Sequence, residues 1–163
     1  MRRVRRLFSM LVDPEPLATA ARLSARGKRR RPDVSAFLFR AEEELDALRT
    51  SLAGGTWRPA PVERIRIRDP KPRVIARAPF RDRVVHTALV EAMKPALLRS
   101  LRPECLACLP GRGTHRAVLR LLELQRRHAY VLHLDVRAYF PSIDLDILRT
   151  LLARRIDDPA FLA

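Results

Sequence analysis

Lysine is nearly missing from this sequence: only Lys28, Lys71 and Lys94 stand among the 33 basic residues of the 163-residue chain, and the rest are arginines. Acidic residues are also few, 18 in all, so the formal net charge is +15 at pH 7. The two cysteines cannot make a disulfide scaffold and point to a reducing compartment. No apolar run approaches the ~18 residues of a spanning helix, so no membrane segment is expected. The basic start (Arg2, Arg3, Arg5, Arg6) before Leu7–Val12 has only the superficial look of an export signal. The apolar stretch ends at Asp13-Pro14-Glu15-Pro16, short of the ~7 to 15 residues of a signal core, and no small-residue cleavage site follows. These absences together lead us to expect a cytoplasmic protein.

The chain has 47% apolar and 31% charged residues, enough apolar material for one globular domain and too much for a disordered basic tail. The Arg-for-Lys ratio fits either a GC-rich genome or a need for forked phosphate contacts. The sign of the charge calls for a polyanionic partner, nucleic acid before membrane, bound with steep salt dependence.

Pro16–Ala25 reads as a short helix, followed by the basic linker Gly27–Arg31, which is either solvated or RNA-facing. A single helix is expected from Asp33 as N-cap through Val34, Leu38, Ala41, Leu45, Leu48 and Leu52, ended by Gly54-Gly55. From Val62 the period becomes two: Arg64, Arg66 and Arg68 alternate with Ile65 and Ile67, Asp69–Pro72 makes a turn, and Arg73–Arg77 returns. That is a β-hairpin with an arginine-rich, phosphate-facing side. Pro79 opens a helix to Lys94, which Pro95 restarts toward Leu101. The glycine loop Pro110–Gly113 precedes a helix from Thr114 to Gln125, and Tyr130–Leu134 has the continuous apolar character of a buried central strand. A last helix is read from Leu145 to Arg155, with no closing element after it.

Asp135 ends the apolar run. A carboxylate at the end of a buried strand must either pair with an arginine or ligate a cation. Followed five residues on by Phe140, a ring able to abut a sugar, it forms the kind of segment a Mg²⁺-dependent nucleotidyl-transfer site requires. Asp144 reads as a helix N-cap. Cys105 and Cys108 form a CxxC without a second ligand pair, so packing is expected rather than zinc.

Four ordered blocks carry a family resemblance: Lys71–Ile75, Ala78–His86, Ala107-Cys108 with Gly111–His115, and Leu134–Asp144. In them the chain resembles bacterial reverse transcriptases of the group II intron, retron and diversity-generating types, retroelement proteins that include agents of antiviral defence. The resemblance implies an α+β fold, the fingers and first palm segment of a right-hand polymerase, helix-rich with a β-hairpin. Residues 1–60 would be a helical region, 61–128 the fingers and 129–163 the start of the palm. By the same resemblance Asp135 is the first catalytic aspartate, a ligand of Mg²⁺ with the Val136 carbonyl. Lys71 and Arg73 would bind the incoming triphosphate, and Phe140 would exclude a 2′-hydroxyl. Arg64, Arg66, Arg68, Arg81 and Arg112 are the nucleic-acid contacts expected.

The family's Tyr-x-Asp-Asp pair and thumb do not occur in the sequence, and Leu109-Pro110 stands where relatives often carry a basic residue. The expected partners are an RNA template, a DNA or RNA primer and deoxynucleoside triphosphates, with a second chain to supply the remaining palm and thumb. The rival reading is a non-catalytic RNA-binding module derived from such an enzyme.

Overall fold

The structure is a computed structural model that describes residues 3–163. Arg2, part of the basic start, lies outside the described residues. The chain is helix-rich with one small antiparallel sheet, an α+β arrangement. Its elements are α1 (Leu7–Leu11), α2 (Pro14–Ala25), α3 (Pro32–Phe39), α4 (Ala41–Ala53), β1 (Glu63–Asp69), β2 (Lys71–Arg77), α5 (Phe80–Leu98), α6 (Thr114–Gln125), α7 (Leu145–Ala153) and α8 (Pro159–Leu162).

The core grows from α2 and α5. Leu17, Ala20, Ala21 and Ala25 recur at spacings of three and four, so they share one face of α2, and their small side chains let α5 approach closely. From α5 come Phe80, Val84, Val85 and Ala88. Val34 and Phe37 of α3 and Leu48 and Leu52 of α4 complete the cluster, with the Phe37 and Phe80 rings edge to face at 5.0 Å. Each fully buried aliphatic or aromatic side chain here contributes about 1.5–3 kcal/mol of burial.

The stretch expected to form one helix from Asp33 is two. The helix breaks at Arg40 (φ −115°, ψ 36°), and this reorientation lets α3 and α4 each turn their apolar side to the core. Asp33 is not the N-cap: Arg31 occupies that place, Pro32 is the first helical residue, and Asp33 is spent on a tertiary ion pair. Gly55 (φ +66°) follows the last turn of α4, the left-handed position where a side chain is strained. Helix α5 runs unbroken through Pro95 to Leu98 rather than restarting there.

Tyr130–Leu134 is not a buried strand. It is irregular and fully open to solvent, because among the described residues the sheet has only β1 and β2 and offers this run no neighbour. The end of the chain does close. Val4 pairs with Ile156 in an isolated parallel bridge, Asp158 Oδ2 accepts the Phe8 amide at 2.9 Å, and Arg5 Nε lies 2.7 Å from Asp157 Oδ2. This joins both ends of the described chain beside the buried Ile156. Among the described residues no helix is long and apolar enough to cross a membrane.

Candidate nucleic-acid interface

The hairpin forms as its alternation requires, with register Ile65↔Ile75, Arg66↔Val74 and Ile67↔Arg73. In an antiparallel pair, directly opposed residues share a face. Arg64, Arg66 and Arg68 therefore lie with Ala76, Val74 and Pro72 on one side of the ribbon. Lys71 and Arg73 lie on the other, with Ile65, Ile67 and Ile75. The three hairpin arginines expected to hold RNA and the two residues expected to hold a triphosphate are thus on opposite faces of the hairpin, whereas Arg81 and Arg112 lie outside it.

The two faces also differ in charge compensation. At the base of the second face Arg77 Nε bonds Glu63 Oε2 at 3.0 Å. The face of Arg64, Arg66 and Arg68 has no acidic residue opposite it, and none of the three forms an ion pair among the described residues. Along a strand, same-face neighbours stand roughly 6.5–7 Å apart, so this is a straight track of three exposed guanidiniums. Lys71, Arg73 and Arg81 are likewise exposed and without an ion-pair partner among the described residues. The linker Gly27–Arg31 lines a shallow concavity of about 440 Å³, and its cations are equally uncompensated. Some arginines elsewhere are matched with acids, as in Arg22–Glu15, Arg49–Asp46 and Arg120–Glu123, while among the described residues others, such as Arg116 and Arg137, are not.

A buried node holds the hairpin in place. Asp82, 3% exposed in the first turn of α5, accepts the Ala60 main-chain N–H with Oδ2 at 2.8 Å. Arg83 Nη2 donates to Asp33 Oδ2 at 2.7 Å, and the Arg83 guanidinium carbon lies 5.2 Å from the Phe80 ring centre. Ser24 and Thr87 hydroxyls meet at 2.8 Å beside it. The block Phe80–His86 is therefore largely architectural: the charges of Asp82 and Arg83 and three of its apolar side chains fasten α3, α5 and the lead into β1, while Arg81 stays exposed. Sequence reading missed these tethers, whose partners stand 50 and 22 residues apart.

Arg112 turns inward. Its Nη1 donates to the carbonyls of Arg102 at 2.9 Å and Cys105 at 2.7 Å, stapling the loop before α6. Cys105 and Cys108 are free thiols, both exposed. Asp144 caps α7, accepting the amides of Asp146 and Ile147 at 2.9 and 3.0 Å.

Asp135 and Val136 stand in the irregular, exposed segment. Phe140 opens a 3₁₀ turn, is 82% exposed and meets the Tyr139 ring edge to face at 5.2 Å. Among the described residues no three Asp, Glu, His or Cys side chains gather to hold a metal ion. One carboxylate and one main-chain carbonyl do not make a Mg²⁺ site, so the described residues do not by themselves fit that ion. A separate cleft of about 890 Å³, lined by Glu15, Glu42, Glu43, Asp46 and Phe39, contains none of the expected site residues.

No family model matches the chain. Among curated proteins it is similar to Protein YkfC of Escherichia coli (strain K12), at 30% identity over 174 aligned positions that cover 98% of this chain and 45% of the relative. The chain thus spans less than half the length of that curated relative.

Proposed function

We propose that this chain is an RNA-binding part of an RNA-directed DNA polymerase of the retroelement type, working in the cytoplasm, with Arg64, Arg66 and Arg68 on the template backbone. The observation that carries the reading is the two-faced hairpin: an uncompensated arginine track on one side, Lys71 and Arg73 on the other. The ordered blocks from Lys71 to Asp144 and the wide excess of positive charge support it. In this reading the hairpin belongs to the fingers, and Asp135 and Phe140 serve the reacting end once the surrounding palm is assembled. Lys71 and Arg73 meet the triphosphate of an incoming deoxynucleotide, and a primer end approaches Asp135.

The exposure of the whole segment around Asp135 favours a division of labour. By itself the chain binds RNA and does not polymerise. Magnesium chemistry requires carboxylates beyond Asp135, so the Mg²⁺ role belongs to the assembled enzyme. The test is primer extension on an RNA template, comparing this chain alone with the chain completed by palm and thumb sequence from a close reverse-transcriptase relative. The completed protein should extend and lose extension with Asp135→Asn. Extension by the chain alone, or indifference to Asp135→Asn, overturns the reading. RNA binding without extension in any completed form leaves the binding module as the function.

A further inference from the structure

We infer that Cys105 and Cys108 form a dithiol site that exchanges with small anionic disulfides of the glutathione type and ends as a disulfide of its own. The inference does not depend on the polymerase reading. The packing expected for this CxxC pair is not what the structure shows: both thiols are free and exposed, on the loop between α5 and α6.

Two cysteines three positions apart meet only where the chain turns. A disulfide needs its Cα atoms about 4.4–6.8 Å apart, whereas three extended residues span about 10 Å. Here the loop doubles back. Residues 107 and 108 lie in a turn, and Cys108 has φ +56°, a left-handed conformation uncommon for any residue but glycine. Arg112 fixes the reversal: its Nη1 donates to the Arg102 and Cys105 carbonyls at 2.9 and 2.7 Å, and its amide donates to the Leu109 carbonyl at 3.1 Å. Cys105 is thus held at one end of a closed loop with Cys108 inside it. The arrangement suits ring closure better than zinc. Among the described residues no third Asp, Glu, His or Cys gathers with the pair, so a tetrahedral ligand set is only half made.

The surroundings select the charge of the reactant. Residues 99–116 carry four arginines, Arg99, Arg102, Arg112 and Arg116, against one acid, Glu104. Arg112 is spent on its staple, and Arg99 Nε on the Pro95 carbonyl. Arg102 and Arg116 are exposed and have no ion-pair partner among the described residues. Arg116 shares a concavity of about 260 Å³ with Leu106, the residue next to Cys105. A disulfide bearing carboxylates is drawn to this loop, and a dicationic one is repelled.

The exchange balances without another reagent. One protein thiolate attacks a sulfur of the small disulfide, forming a mixed disulfide and releasing the first small thiolate. The second protein thiolate then attacks the protein sulfur of that mixed disulfide and expels the other half. Two electrons pass from the pair to the small disulfide, and the two cysteine protons end on the released thiols.

The test incubates the whole reduced chain with oxidised glutathione or with cystamine, a dicationic disulfide, and follows it by intact mass and thiol titration. With oxidised glutathione the parent should end two hydrogens lighter, without an adduct and with both thiols lost together. Cys105→Ser and Cys108→Ser should each stop at a stable glutathione adduct. With each rate normalised to that of a small neutral dithiol, oxidised glutathione should react roughly tenfold faster than cystamine at low salt. Gln at both Arg102 and Arg116 should erase that preference. A parent chain that keeps a glutathione adduct, or links to a second copy instead of closing on itself, overturns the inference. So do equal normalised rates for the two disulfides in the parent, which remove the selection by charge.

Discussion

The carboxylate of Asp82 reaches back from the first turn of α5 to the main-chain N–H of Ala60, 2.8 Å from Oδ2. Both hairpin strands lie between the two ends of that bond, so one hydrogen bond sets where the ribbon leaves the helical body. The bond is part-buried and its acceptor is a charged, buried carboxylate, so removing the acceptor costs about 1–3 kcal/mol. Asp82→Ala should lower the urea midpoint accordingly, whereas Asp82→Asn, which keeps an acceptor oxygen, should recover most of the loss. Equal stability of the parent and Asp82→Ala would show that the bond holds nothing.

The second tether is the pair of Arg83 and Asp33, whose side chains are 18% and 33% exposed. Loss of one partner leaves the other partly buried and unpaired, so Asp33→Ala and Arg83→Ala should each destabilise by about 1–3 kcal/mol. The double variant should cost less than the two added together, because the second change removes a group already orphaned. Strict additivity in chemical unfolding would mean that the contact carries no coupling.

For RNA binding, replacing Arg64, Arg66 and Arg68 together by Gln should flatten the slope of log K against log salt by about two to three, since each phosphate contact contributes roughly 0.7 to 0.9. Gln at Lys71 and Arg73, on the opposite face, should leave that slope nearly unchanged and instead weaken nucleotide binding in the completed enzyme. Filter binding across a salt series reads the first effect. A slope that both variants alter equally would mean that the ribbon does not sort its ligands by face.

Phe140 projects into solvent, 82% exposed, so Phe140→Ala should change stability by less than about 0.5 kcal/mol. In the completed polymerase the same change should raise ribonucleotide incorporation relative to deoxyribonucleotide, because the ring no longer occupies the volume of a 2′-hydroxyl. A variant that melts early would point to a packing role, and unchanged discrimination would show that the spacing from Asp135 to Phe140 does not place the ring beneath the sugar.

The carboxyl of Glu15 is held below its ordinary range by a hydrogen bond from Arg22, then by one from Thr19 and by the charge of Arg22. A carboxylate depressed in the folded state contributes stability above its unfolded pKa and loses it as the pH falls through the lower folded value. Helix α2 should therefore weaken in acid, below the ordinary carboxylate range, and Glu15→Gln should abolish that part of the pH dependence in circular dichroism. The site is fully exposed, so the effect should be small and fade with added salt. A pH profile identical in Glu15→Gln would place the acid transition elsewhere.

Local pattern made the hairpin legible before any coordinates, since alternation of Arg and Ile with a proline turn leaves few other shapes for residues 63–77. The same holds for α2, α6 and the capping role of Asp144, each of which depends on residues within one or two turns. The break at Arg40 was hidden because the apolar period continues across it: Val34 and Leu48 suit one straight helix as well as two bent ones. Asp33 likewise has the residue type of a cap, and only the position of Arg83 draws it away.

Sequence alone determined the charge, the arginine track and the row of apolar residues from Tyr130, because these are properties of composition and short-range order. Tertiary structure decided which charges are free. Arg83 and Arg112 were indistinguishable from Arg66 in the sequence, yet packing commits Arg83 to Asp33 and Arg112 to two loop carbonyls, and leaves Arg66 unpaired. It also decided that Tyr130–Leu134 stays unpaired. A strand is completed by its neighbour, and hydrophobicity sets only the willingness to be buried, while the hydrogen bonds that make a strand must come from another stretch of chain.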